Sequence, residues 1–285
     1  MTQPVTAPVL FDRSLLARRQ RRAAQAPETF LLERVAEDLA DRLAAVNRSF
    51  TEVADIWTPG AGLRPQLSGH IAQLAHVAAP ATADETLPLA PQSLDLALSA
   101  LAFQFVNDLP GLLVQIRRAL RPDGLLLAAM IGGDTLTELR QSFAAAEAEC
   151  EGGVSPRVAP FADLRDVGGL LQRAGFALPV TDVDRVVVRY ASALGLMADL
   201  RHMGAANSLV ERRRMPMRRA TLLRMAEIYA ERFADPDGRI RATFDIIWLS
   251  GWAPHESQQK PLQPGSATAS LEAAVKRSPR ASADD

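Results

Sequence analysis

Long hydrophobic runs are missing from this chain. Its best apolar stretch, 125-LLLAAMIGG-133, has the length of a buried strand and falls short of a bilayer span. Cysteine is nearly absent. Cys150 stands alone, which excludes an intrachain disulfide and fits a reducing compartment. Its neighbours in AEAECEGG are acids, and these disfavour a thiolate nucleophile. A dominant charge of one sign is lacking as well. The net charge of −1 excludes bulk nucleic-acid binding. Lysine is sparse beside arginine, a bias we assign to the genome. The bacterial cytoplasm is the expected location, with at most peripheral membrane contact. The four histidines, His70, His76, His202 and His255, share no spacing of the HExxH or facial-triad kind, so no metal site is expected.

What is present fits a globular α/β protein. The 285 residues are 48% hydrophobic and 23% charged, enough for one large domain or a domain with a cap. Within 28–46, Leu31, Val35, Leu39 and Leu43 recur at four-residue spacing and predict a helix with one buried stripe. Residues 50–57 read as a short strand, 70–79 are weakly patterned, and 94–106 read as a buried strand running into a loop. Asp108 is placed to cap the next helix, with Pro110 in its first turn. Leu112, Leu113, Ile116 and Leu120 share one face of it. Pro122-Asp123-Gly124 stops the helix, and 125–132 reads as a strand apolar on both sides, as in the middle of a parallel sheet. Helices at 135–149 and 162–174, an alternating strand at 180–190 and a last strand at 242–253 continue the order. The alternation predicts βαβ units in a doubly wound sheet.

Three boundaries follow. Residues 1–27 form a basic segment. Arg13, Arg18, Arg19, Arg21 and Arg22 pattern there as an amphipathic helix, read as a solvated face, with a transit peptide or membrane-surface helix as the sharper alternative. Residues 28–257 form the main domain, with a helical insertion at 192–235, rich in Met and Arg, as a cap. Residues 258–285 are polar and expected to be disordered. Met203, Met215, Met217 and Met225 read as core or lid filler, and 211-ERRRMPMRR-219 as a solvated cap surface. His255-Glu256-Ser257-Gln258 is a tempting polar site with an equally simple structural explanation.

One short stretch carries the functional question. In 53-VADIWTPGAGLRPQL-67 a strand closes near Asp55 and leads into Gly60 and Gly62, and glycines there let a backbone approach a ligand. Further on stand ADE, FVNDLP and LRPDG. This order resembles the class I S-adenosylmethionine-dependent methyltransferases, close to the biotin-pathway O-methyltransferase-like branch. With FDR (11–13), GGDTLTELR (132–140), AEAECEGGVSPRVAPF (146–161) and LLQRAGF (170–176), it also resembles the methyltransferase-like assembly factors of respiratory complex I. The resemblance spans about residues 10 to 270. It implies a Rossmann-like, mostly parallel methyltransferase sheet with a helical cap, and S-adenosyl-L-methionine as cofactor.

Carried over by position, Asp55, Gly60 and Gly62 match the first cofactor motif, Asp84 matches the acid at adenine, and Ser99 and Leu101 match the end of the fourth family strand. Gln104 and Phe105 stand where relatives carry His or Gln and then Trp. The pattern departs at Trp57, which takes the first glycine position, and at Pro59, which removes a backbone donor. No acid ends the segment 70–79, where the family grips the ribose. Such a carboxylate contributes about 1.5–3 kcal/mol, so its loss and that of the glycines would weaken binding by roughly two decades or more. The stretch between is also short, so a truncated first helix is expected. No catalytic side chain stands out, since transfer from a sulfonium rests mainly on positioning. Two readings follow: methyl transfer to an acceptor under the cap, or a methyltransferase-fold assembly factor for a respiratory subunit, acting on a protein arginine.

Overall fold

The computed structural model describes residues 9–258, apart from residues 61, 68, 70, 72 and 83 and the side chains at 65 and 66. His70 and the expected disordered tail beyond 258 lie outside the described residues. Two compact units are resolved, Met1–Pro254 and His255–Asp285. The second is described only at 255–258. There a turn is closed by the Gln258 amide donating to the His255 carbonyl, and His255 Nδ1 lies 2.7 Å from Ser257 Oγ.

The first unit opens with α1 (Arg13–Ala23) and α2 (Phe30–Ala44). Strands β1 (Val53–Ile56) and β2 (Leu74–Val77) follow, joined through a single helical turn, α3 (Arg64–Leu67). Then come β3 (Leu94–Ala100), α4 (Leu109–Ala119), β4 (Leu120–Gly132), α5 (Thr137–Glu151) and α6 (Leu164–Arg173). The unit ends with β5 (Ala177–Tyr190), α7 (Ala193–His202), α8 (Arg219–Phe233) and β6 (Ile240–Trp252). The strands form one sheet in the order β2-β1-β3-β4-β6-β5, parallel from β2 to β4 and antiparallel where β6 enters.

Both faces of the sheet are covered, which makes it doubly wound. On one face Leu31, Val35, Leu39 and Leu43 of α2 pack with Leu96, Leu98, Leu125 and Leu127. On the other, Leu112 and Ile116 of α4 and Val167 and Leu171 of α6 pack with Leu126, Ala128 and Leu249. The alternation of partners along β4 is the period-two geometry of a strand buried on both sides.

Three details correct the sequence reading. The helix α4 ends at Ala119, and Leu120 already belongs to β4, so the chain turns before Pro122-Asp123-Gly124 rather than at it. Asp123 takes φ +64° and β3 shifts register against β4 between Leu94 and Leu96, which lets the strand pass the proline as an irregularity. Strand β4 is not flanked by parallel strands on both sides, because its second neighbour, β6, runs antiparallel. The third concerns the basic helix. Asp12 caps α1 by accepting from the Leu15 amide, but Arg13 is only 5% exposed and leaves the solvated face. No helix among the described residues is long and apolar enough to cross a membrane.

Candidate functional site

Strand order reverses beside β1: the chain steps outward to β2, then returns to place β3 on the other side. Open α/β sheets bind ligands in the crevice that such a reversal opens at the carboxyl ends of the strands. Four segments meet at that crevice here: the turn after β1, the residues after β2, the segment around 84–86, and the loop after β3.

The turn after β1 is built around Asp55, which is 1% exposed. Its Oδ2 accepts from the Leu63 amide at 3.0 Å and lies 3.2 Å from His76 Nδ1. Its Oδ1 is buried with no hydrogen-bond partner among the described residues, and the same holds for Ser99 Oγ at the end of β3. Gly62 sits at φ +69°, and a methyl group there would run into Asp55 Oδ2, so glycine is required on two counts. Trp57 takes φ +64° and is buried, with its amide donating to the Val77 carbonyl at 2.8 Å. Thr58 Oγ1 accepts from the Ala100 amide at 2.9 Å and ties the turn to β3. Gln104 braces β3 against β4, donating to the Leu101 carbonyl at 2.7 Å and accepting from the Ile131 amide.

Asp84 and Glu85 divide in role. Asp84 is exposed and accepts from the amide and hydroxyl of Thr86, whose hydroxyl in particular holds its carboxyl below the usual range. Glu85 is buried. It accepts from the backbone amides of Asn107 and Asp108 at about 3.0 Å. Its Oε1 also lies 3.6 Å from Arg13 Nε. The Arg13 guanidinium donates to the carbonyls of Phe105 (3.0 Å) and Pro80 (3.2 Å) and sits 5.4 Å from the centre of the Trp57 ring. Burial pushes the Arg13 pKa down, and Glu85 opposes that shift. One arginine thus touches all four segments of the crevice.

A cavity of about 330 Å³ lies between the strand ends and residues 197–217. Its floor includes Gly60, Leu101, Gln104 and Ile131 at the strand ends, and its walls include Phe11, Phe143, Met197, Met203 and Met217. Of the residues expected at the site, Gly60 and Leu101 line this cavity, whereas Asp55, Gly62, Asp84 and Ser99 do not. Met225 is buried in the core and Met215 is exposed. The basic run is tied to the chain's own acids: Arg212 to Asp12, Arg213 and Arg218 to Glu151. Among the described residues no cluster of His, Cys, Asp or Glu could hold a metal. Glu85 and Asn107 carry no residue-level expectation, and Arg13 is expected only on a solvated basic face. FDR, ADE and FVNDLP signal them, but nothing in their spacing says that they meet.

This sheet, with its crevice and flanking helices, is the Rossmann-like fold of the S-adenosylmethionine-dependent methyltransferases. Residues 64–128 match the family described as a methyltransferase domain. The YcgJ protein of Bacillus subtilis superposes with a TM-score of 0.50 over 76% of this chain and 98% of that one, at 14% identity. The mitochondrial arginine-hydroxylase NDUFAF5 of Danio rerio is 37% identical, over 92% of this chain and 88% of its own length. The Homo sapiens protein of that name is 38% identical, over 92% and 82%. A malonyl-[acyl-carrier protein] O-methyltransferase of Laribacter hongkongensis is 40% identical over 64% of this chain and 58% of its own. The chain belongs to the methyltransferase-fold family that contains these NDUFAF5 proteins. The expectation of a bacterial cytoplasmic location is overturned by these relatives, which are named as mitochondrial.

The fold implies an adenosyl cofactor, and the orphaned oxygens of Asp55 and Ser99 and the open backbone at Gly60 suit a ligand there, while the turn departs from the glycine pattern of the resemblance at Trp57 and Pro59. The Trp57 side chain is buried in the apolar cluster that holds Ile56, Leu87 and Phe103. A Pro80 carbonyl, already accepting from Arg13, stands beyond β2 in place of a carboxylate. Asp84 is engaged by Thr86, and the buried acid beside it is paired with Arg13.

Proposed function

We propose that this protein works on a protein partner, as an assembly-type factor of the methyltransferase fold that recognises an arginine-bearing segment of a respiratory-complex subunit. The observation that carries this reading is the Trp57–Arg13 contact after β1, where the resemblance would lead one to expect the glycine turn that holds the methyl donor. The names of the relatives that span most of the chain support it, since they are arginine-hydroxylases. Hydroxylation would need an oxidant, so we assign the chain recognition of the segment and derive no chemical step.

A rival keeps methyl transfer from S-adenosyl-L-methionine to an acceptor under the cap. Gly60 and Leu101 favour it, since both line the cavity, as do the orphaned oxygens of Asp55 and Ser99. Capture of solubilised respiratory subunits on the full chain, read by mass spectrometry, separates the two. The first reading expects a recovered subunit with no methyl gained on incubation with S-adenosylmethionine. Recovery of no such subunit overturns it, and a gained methyl group turns the decision to the rival.

A further inference from the structure

We infer that the crevice at the ends of β1 and β3 is a guanidinium receptor filled in cis, with Arg13 as the chain's own ligand where a nucleoside would otherwise lie. This inference goes beyond the partner reading and does not depend on the partner's identity.

The receptor supplies each kind of group that a guanidinium needs, although Arg13 Nε, 3.6 Å from Glu85 Oε1, makes no hydrogen bond of its own among the described residues. A guanidinium needs a flat apolar face, in-plane acceptors and a counter-charge. Trp57 supplies the face at 5.4 Å. The carbonyls of Phe105 and Pro80 supply two acceptors from different loops, at 3.0 and 3.2 Å. Glu85 supplies the charge, and its side chain is itself fixed by two backbone amides. Arg13 and Glu85 are 5% and 9% exposed. A buried charge of this kind persists only where it is paired.

The guanidinium is also delivered on a clamped segment. Asn107 Oδ1 accepts from the amides of Leu10 (2.8 Å) and Phe11 (2.7 Å), and its Nδ2 donates back to the Phe11 carbonyl. The Asp12 amide donates to the Ser208 carbonyl, and the Phe11 ring meets Phe105 edge-on at 5.8 Å. Phe11 is a wall of the neighbouring cavity, as are Gln20 and Ala23 of α1 and its C-cap, Ala24. The same segment therefore closes the crevice and roofs part of the cavity. The three motifs FDR, ADE and FVNDLP are the parts of one device.

The test is thermal unfolding of the full chain, R13A and R13K, each with and without millimolar ethylguanidinium, and with ethylammonium as the control. We expect R13A to lose roughly 6–12 °C, the size expected for stranding the buried Glu85 in a chain of this length. Ethylguanidinium at about ten times its Kd should restore roughly 3 °C to R13A and nothing to the parent, while ethylammonium restores neither. R13K should melt below the parent, because an ammonium can neither fork to two carbonyls nor lie flat on the indole. R13K carries the test should R13A fail to fold. Three results overturn the inference: R13K melting with the parent, R13A responding equally to both cations, or the parent titrating saturably with S-adenosylhomocysteine. Subunit capture by the parent is unaffected by any of them, so failure here is distinguishable from failure of the partner reading.

Discussion

Two strand-end turns in this molecule use the same parts to opposite effect. After β1, Gly62 at φ +69° packs on the carboxylate of the buried Asp55. After β4, Gly133 at φ +55° packs on the carboxylate of the buried Asp245. Asp245 is fully engaged: it accepts from the Asp134 amide at 2.9 Å and from Arg185 Nε and Nη2 at 2.7 and 2.8 Å. Asp55 has one amide and a half-exposed imidazole, and one of its oxygens is orphaned. The surroundings differ in the same sense. Asp245 lies on β6, 13 residues long, between β4 of 13 and β5 of 14, and Asp55 lies on β1, four residues long, between β2 of four and β3 of seven. A turn that only has to hold the fold is satisfied by its own residues. A turn left incompletely satisfied either meets a ligand or is sealed by other means, and the proposal made above gives Trp57 and Arg13 the second role.

Trp57→Gly tests the seal most severely. Truncating a buried tryptophan costs about 3–5 kcal/mol, and relieving a left-handed non-glycine residue returns about 1, so a net loss on the order of 2–4 kcal/mol is expected by denaturant unfolding. The same variant should show no heat with S-adenosylhomocysteine, because Arg13 still occupies the crevice and no carboxylate follows β2. Sub-millimolar binding by this variant would mean that one indole separates the two kinds of turn, and the role given to Arg13 would fall.

How much of this was legible depends on whether the signal was local. The four-residue stripe of α2 is a property of one helix, and all four of its leucine and valine positions are buried. The apolar run 125–132 is a strand because a parallel neighbour and both helical layers bury it, as its composition requires. The direction of β6 against β4 left no trace, since side-chain alternation is the same in parallel and antiparallel strands. The site was legible to the segment but not to the residue. Asp84 and Glu85 are adjacent acids, and in extended backbone neighbours point to opposite sides, so ADE could not reveal that the second is the buried one. Arg13 reads as one more charge in a basic run, and its burial depends on Glu85, which lies far along the chain.

The paired carboxylates allow a finer comparison. In the folded protein Asp245 is held below the usual carboxylate range. Burial opposes this, but the hydrogen bonds from Arg185 and the Asp134 amide outweigh it. A depressed folded pKa contributes stability above the unfolded value of about 3.9, and that stability is lost as pH falls through the folded value. Asp245→Asn should therefore cost on the order of 2 kcal/mol at pH 7, with the difference from the parent shrinking once pH falls below the unfolded value of about 3.9 and through the lower folded one. Asp55→Asn keeps an acceptor for the Leu63 amide, so its loss should stay near 1 kcal/mol or less. Unfolding midpoints between pH 7 and pH 3 check both. Equal losses would show that the two turns are the same kind of object after all.

A last pair of variants, with small expected effects, separates structure from ligand approach. Gly60 has φ +69°, yet a methyl group built on it meets nothing within 4 Å, and the residue lines the cavity. Gly60→Ala therefore pays only the left-handed backbone term, about 1–2 kcal/mol, with no clash inside the protein. Gly62→Ala should cost more, because its methyl group must also displace Asp55. A methyl donor drawn into the turn would approach the Gly60 backbone closely, and an added methyl group would block it. If the protein instead works through a partner and keeps its crevice filled, Gly60→Ala should capture the partner as the parent does while melting slightly lower. Loss of capture or turnover beyond that small destabilisation would place a ligand against Gly60 and reopen the first turn as a binding site.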